Sequence, residues 1–317
     1  MEECIICRNL YTKNNPRTSE HIIPEFVGGA LKFECVCKLC NSSMGKDFEG
    51  RLSNSFLLKS YRYLHKILGK SIKIEHPFSG MHRLDDGRLF TIHRDGRYEL
   101  NSSINIEPDS ENSKRYHFLV NVDEANASYI EDLVIKKAKR MAKKTGTNYT
   151  ESSITKSVRE AIAESEFKTK TIKNPELTIE VSLNLSDMEL LYIKIAYELA
   201  CFQFGYRYIL DPVANNLRLS LHNLSVHNDV SLSVLEEENE IVRNVFTNDY
   251  YWAFFTKNAC YIKLFSMVGV VIFSSPDALE FRTDNVYRFC YKSNSWKILD
   301  YQEMIRNFLR LSKKIPS

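Results

Sequence analysis

Two Cys-x-x-Cys pairs, Cys4–Cys7 and Cys37–Cys40, enclose the dipeptide Glu20-His21, and Asn41 follows the second pair directly. Four cysteines in two knuckles can close a tetrahedral site, and C-x2-C…C-x2-C points to structural Zn2+ before other chemistry. Residues 8–36 separate the pairs, a longer gap than such sites usually have, so something is built inside the zinc loop. What sits there is an imidazole beside a carboxylate. A neutral histidine is a suitable general base near pH 7. Carboxylate and amide oxygens, as in Glu20 and Asn41, suit a hard ion such as Mg2+ or Mn2+, whereas thiolates suit zinc. Cys35 lies two residues before Cys37, and the x2 spacing leaves it outside the ligand set.

Read in order, C-x2-C, Glu20-His21-Ile22-Ile23-Pro24, Gly28-Gly29 and C-x2-C-Asn41, with Gly45 just beyond, resemble the zinc-knuckle branch of the HNH nuclease family. The resemblance runs from residue 1 to about residue 55 and implies a ββα-metal fold that hydrolyses DNA phosphodiester bonds. It assigns His21 the polarisation of the attacking water. Glu20 would help hold a catalytic Mg2+ or Mn2+, and Asn41 would supply the opposing ligand. Cys4, Cys7, Cys37 and Cys40 would hold the structural Zn2+. This chain has Glu20 where many relatives carry Asp, and Met44 where many carry Lys, with Lys46 two residues on. A second reading stays open: the knuckle as a rigid, non-catalytic scaffold that binds nucleic acid or protein.

The elements that must position these groups can be read from the same residues. Glu20 and His21 are adjacent on an extended strand and project to opposite sides. Pro24 ends that strand, and Gly28-Gly29 let the loop return where a side chain would obstruct. The run Ser42–Glu49, leading into Leu52, Phe56 and Leu57, reads as the helix of the unit with Asn41 or Ser42 near its cap. Helix continues over 61–69, and strands are expected at Ser71–Glu75, Arg88–His93, Arg97–Leu100 and Tyr116–Val122. Asp85-Asp86-Gly87 and Arg94-Asp95-Gly96 are hairpin turns. Helices are expected at 126–145, 151–166, 186–205 and 212–222, with Gly205 as a C-cap and a strand at Leu177–Leu183. The last hundred residues are aromatic and β-rich, with strands at Tyr250–Phe255, Cys260–Phe265, Val268–Ser274 and Val286–Tyr291.

The fold class is therefore α+β: a zinc-stapled ββα domain at 1–58, then a larger mixed α+β domain at 59–317 for recognition, sensing or oligomerisation. That head-plus-tail layout is similar to restriction-like enzymes and bacterial anti-phage defence effectors. Net charge is only +3, so the asymmetry that matters is local. Lys136, Arg140, Lys143 and Lys144 share one face of the 126–145 helix. The ordinary reading is a solvated face; the sharper one, with Lys46, is contact with the phosphates of DNA. The apolar run Ile262–Phe273 is broken by Lys263 and Ser266 and is too short to span a bilayer. Cys201, Cys260 and Cys290 are isolated, which with the knuckles and the lack of a cationic leader points to the cytoplasm. Cutting two antiparallel strands needs two active sites or a reorientation, hence a homodimer or a partner protein.

Overall fold

In the computed structural model of the chain, Arg17–His21 (β1) and Lys32–Cys37 (β2) pair antiparallel, with Glu20 opposite Phe33 and His21 opposite Lys32. The described residues are 2–69, 73–110, 115–146, 149–169, 181, 184–226, 230–234, 249–302, 304 and 306. Contacts divide the chain into two compact units, Met1–Pro77 with Ser182–Ser317, and Phe78–Val181. The loop between β1 and β2 returns at Gly28-Gly29 as its glycines require. A Cβ on Gly29 would lie 1.7 Å from the Ile23 carbonyl oxygen, and Gly28 has φ 86°.

Helix follows β2 without a loop. Cys37 is the N-cap of Lys38–Ser43 (α1), and Asn15 Oδ1 accepts from the Leu39 amide at 3.0 Å. Asn41 thus lies inside the helix, not at its cap as expected. Met44–Glu49 form a π-helical turn in which the Gly50 amide donates to the Gly45 carbonyl. Gly50–Ser53 (α2) and Phe56–His65 (α3) complete the array, and Lys66 in the left-handed region ends it before the expected 69. Of the strand expected at Ser71–Glu75, residues 71–72 lie outside the described residues, and 73–75 form no strand.

The unit Phe78–Val181 has a three-stranded antiparallel sheet of Gly80–Arg83 (β3), Leu89–Ile92 (β4) and Tyr98–Leu100 (β5), plus a pair, Ser103–Pro108 (β6) with Tyr116–Asn121 (β7). Both expected hairpin turns are present, with Gly87 at φ 86° and Gly96 at φ 85°. Ile130–Thr145 (α4) and Glu151–Ala163 (α5) are joined by Lys139–Glu151 at 2.7 Å and Arg159–Glu131 at 2.6 Å. The strand expected at Leu177–Leu183 lies outside the described residues, apart from Val181, which is in no strand.

The other unit continues with Leu185–Phe204 (α6) and Pro212–Asn223 (α7). Asn184 and Asp211 cap these helices, and Gly205, φ 70°, closes the first. Val230–Val234 (β8), Tyr250–Thr256 (β9), Ala259–Leu264 (β10), Met267–Ile272 (β11), Asn285–Cys290 (β12) and Ser295–Asp300 (β13) form one antiparallel sheet, ordered β13-β12-β9-β10-β11-β8. α6 is apolar nearly all round and buried from Leu190 to Cys201, as a helix without a polar face must be. The Tyr192 hydroxyl donates to the Met267 carbonyl of the sheet, and the Tyr197 hydroxyl donates to the Ile5 carbonyl beside the first knuckle. Arg218 to the Ile6 carbonyl, Tyr251 to the Val27 carbonyl and a bidentate Arg51–Asp187 pair add further ties. The α+β class expected from the sequence is the class found.

Candidate active site and metal centre

The turn at Cys4–Cys7 meets the end of β2, with Cys37, and the first turn of α1, with Cys40, so that the four sulfurs lie within 4.8 Å of one another. A tetrahedron with Zn–S bonds of about 2.3 Å separates its sulfurs by about 3.8 Å. Cys7 and Cys37 stand at that separation, 3.8 Å, and the four thiols together are of the number and spacing that a structural zinc takes. The amides of Ile6 and Cys37 point at Cys4 Sγ at 3.4 and 3.3 Å, the kind of hydrogen bond that steadies a ligating thiolate. A hydrogen bond from Cys40, aided by these amides against the effect of burial, brings the Cys4 thiol down to about 5. Cys35 is buried outside the group, and burial pushes its thiol up.

Past the knuckle, His21 ends β1 half-buried, with its Nδ1 4.0 Å from Glu25 Oε2. Burial lowers the imidazole's proton affinity, with Glu25 pulling the other way, so the ring tends to the neutral form that can accept a proton. Asn41 Nδ2 donates to Thr18 Oγ1 at 2.9 Å and to the Ser19 carbonyl at 3.4 Å. The helix is thereby pinned to the strand just before Glu20-His21, and Asn41 keeps its amide oxygen for another partner.

Glu20 is buried, with 6 % of its surface exposed. Its Oε1 lies 2.9 Å from the ammonium of Lys194, on α6, which has no exposed surface. The same ammonium donates to the His21 carbonyl at 2.6 Å and to Glu198 Oε2 at 2.9 Å, with the Ile22 carbonyl at 3.5 Å and Glu49 Oε1 at 3.6 Å. Burial alone would push the Lys194 amine down; Glu198, Glu20 and Glu49 outweigh it and hold the amine above its usual range. Burial drives the Glu198 carboxyl well up, against the pull of Lys194.

Residues 4–57 match the family model described as HNH endonuclease. No curated protein and no solved structure matches the chain. The HNH segment so marked holds every residue expected to ligate or catalyse, and the cysteine cluster falls inside it. Glu20 and Asn41 offer oxygen donors of the type Mg2+ or Mn2+ takes, one Glu20 oxygen being engaged by Lys194.

Lys46 is exposed on the π-helical turn of the HNH segment, and Lys136, Arg140, Lys143 and Lys144 are exposed on α4 of the other unit. Lys143 and Lys144 also complement the C-terminal end of that helix dipole. The sequence reading expects a helix at 186–205 but assigns no role to Lys194 or Glu198. A Lys and a Glu spaced i, i+4 inside an otherwise apolar helix were the signal, because such charges are buried only when paired.

Proposed function

We propose that this protein is a metal-dependent HNH endonuclease that hydrolyses DNA phosphodiester bonds with His21 as general base. The match over residues 4–57, with His21 kept towards its neutral form at the end of β1, carries this reading. With His21 Nδ1 4.0 Å from Glu25 Oε2, Nε2 is assigned to take the proton of the attacking water. Glu20 and Asn41 hold Mg2+ or Mn2+, which when bound supplies positive charge at the phosphate and the leaving oxygen. Cys4, Cys7, Cys37 and Cys40 hold Zn2+ and keep β1, β2 and α1 in register. Residues 1–58 carry this chemistry. Residues 59–317 supply recognition, sensing or oligomerisation, with Lys136, Arg140, Lys143 and Lys144 on the phosphates of DNA. A cytoplasmic restriction-like or anti-phage effector, acting as a homodimer or with a partner protein, fits that division of labour.

Plasmid cleavage with Mg2+ or Mn2+ tests the reading, wild type beside His21→Ala, each checked for one bound zinc. Wild type should nick or cut, and the variant should lose on the order of 10²–10⁴ in rate. Equal rates in both, or no cleavage by wild type with either metal, would overturn it. One observation favours the alternative of a non-catalytic zinc-knuckle binding protein: the Glu20 carboxylate is already paired with an ammonium.

A further inference from the structure

We propose that Lys194 is a positioning residue of the HNH site, one buried ammonium fixing the His21 carbonyl and the Glu20 carboxylate relative to each other. The inference rests on the endonuclease reading above. An ammonium has three N–H donors. The ammonium donates to the His21 carbonyl at 2.6 Å and to Glu198 Oε2 at 2.9 Å, and Glu20 Oε1 stands 2.9 Å away as its third close neighbour, an ion-pair partner. Two of the three belong to the residues on which base and cation depend. The third, Glu198, sits one helical turn along α6 and anchors the ammonium to its own helix.

Stability alone does not favour this arrangement. Replacing a buried ion pair by apolar side chains of similar volume is often neutral or stabilising, because the desolvation of both charges is relieved. A residue that only glued α6 to β1 would serve as well if it were Met or Leu. What Lys194 adds is direction. Its charge holds Glu20 by Oε1 and leaves the second oxygen for the cation, and its bond to the His21 carbonyl fixes the backbone from which the imidazole projects. α6 can act as a fixed reference because Tyr192 ties it to the sheet and Tyr197 ties it to the first knuckle.

Removing the ammonium therefore has two opposite effects. Glu20 becomes free to take a cation with both oxygens, and a positive charge beside the cation is gone, so metal binds tighter. The base and the cation lose their mutual alignment, so turnover falls. General loosening of the fold would weaken both together.

The test is Lys194→Met combined with Glu198→Met, which removes the buried pair as a unit. Wild type and His21→Ala are measured alongside, all with zinc content and melting temperature checked. Mn2+ affinity is read by electron paramagnetic resonance without DNA, and kcat and KM by plasmid cleavage. The expected result is Mn2+ binding tighter by about 3-fold or more, because Glu20 is released from its ion pair; the repulsion lost with Lys194 is largely offset by the attraction lost with Glu198. With it kcat should fall by about 10- to 100-fold at unchanged KM for DNA, from misalignment. A folded, zinc-loaded double variant with wild-type affinity and kcat would overturn the proposal, as would affinity and kcat falling together. If the double variant does not fold, Lys194→Arg decides. It keeps the buried cation but moves its donors, so kcat should fall, and an unchanged kcat would overturn the proposal. Failure of both variants to fold overturns it in favour of a structural tie. Should wild type cut nothing, the endonuclease reading fails by itself, while the Mn2+ measurement still decides whether Lys194 governs Glu20. Absence of Mn2+ binding by wild type overturns the role of Lys194 as well.

Discussion

The unit that carries the HNH segment and the unit Phe78–Val181 are held together by different means. In the first, α6 is buried from Leu190 to Cys201; Tyr192 and Tyr197 on it, and Tyr208 and Tyr251 elsewhere in the unit, are buried with their hydroxyls donating to backbone carbonyls. In the second, Val134 and Val158 are the buried hydrophobic side chains among the described residues. Its elements are joined by strand pairing and by exposed ion pairs such as Lys139–Glu151, which contribute little stability each. A cavity of about 970 Å³, lined by Phe90, Ile92, Leu100, Ile130 and Ile162 among others, opens between its sheet and its helices. The lesson is that the candidate site lies in the unit with the larger buried core. The segment with little core is where adjustment costs least.

Zinc removal should show the largest effect and the sharpest boundary. Structural zinc sites bind with apparent energies on the order of 10 kcal/mol, far more than any single side chain contributes. Chelation, or Cys37→Ser, should abolish hydrogen-exchange protection of β1, β2 and α1, while α4 and α5, which hold none of the ligands, keep theirs. Retained protection of β1 and β2 without zinc would mean that the ties from Lys194 and Tyr197 suffice, and the contrast would have to be redrawn.

A smaller effect is expected in the intact, zinc-loaded protein. Amides of α4 and α5 should exchange faster than those of α6 by about 10²-fold or more, since local opening there exposes little apolar surface. Equal rates for the two sets of helices would break the comparison, showing that Phe78–Val181 is stabilised by something other than its own core.

Legibility in the sequence followed the same physical line. Thiol chemistry was legible because cysteine pairs at x2 spacing have few other uses, and the four sulfurs do converge. α6 was legible in extent because the apolar run and Gly205 agree; its Asn184 cap lies just ahead of the expected start at 186. β13, Ser295–Asp300, was not, because nearly every residue of it is exposed and it pairs at a sheet edge. β6 was hidden by its closing Pro108 and its polar alternate residues. The start of α1 was misplaced because its cap is Cys37, a ligand, with Asn15 supplying the hydrogen bond from far along the chain. Lys194 marks the limit of such reading. Its charge pattern says that it must be paired, but only the fold says that the partner is the candidate site's own carboxylate.

The smallest effect concerns what burial does to the charge of a second lysine in this unit. Lys263, on β10 opposite Trp252 and Val268, is 3 % exposed, and burial brings its amine down to about 8. The sign follows from proton counts. Between about 8 and the ordinary lysine value of 10.5 the unfolded chain holds a proton that the folded chain has released, so stability rises with pH across that window. Below it both states are protonated and the cost of burying the ammonium is present in full. Lys263→Met should therefore melt higher than wild type near pH 7, by on the order of a few degrees, and the difference should shrink towards pH 10. A difference that does not change with pH would mean that burial does not lower the Lys263 amine. Dense packing in this unit would then carry no charge penalty at either lysine.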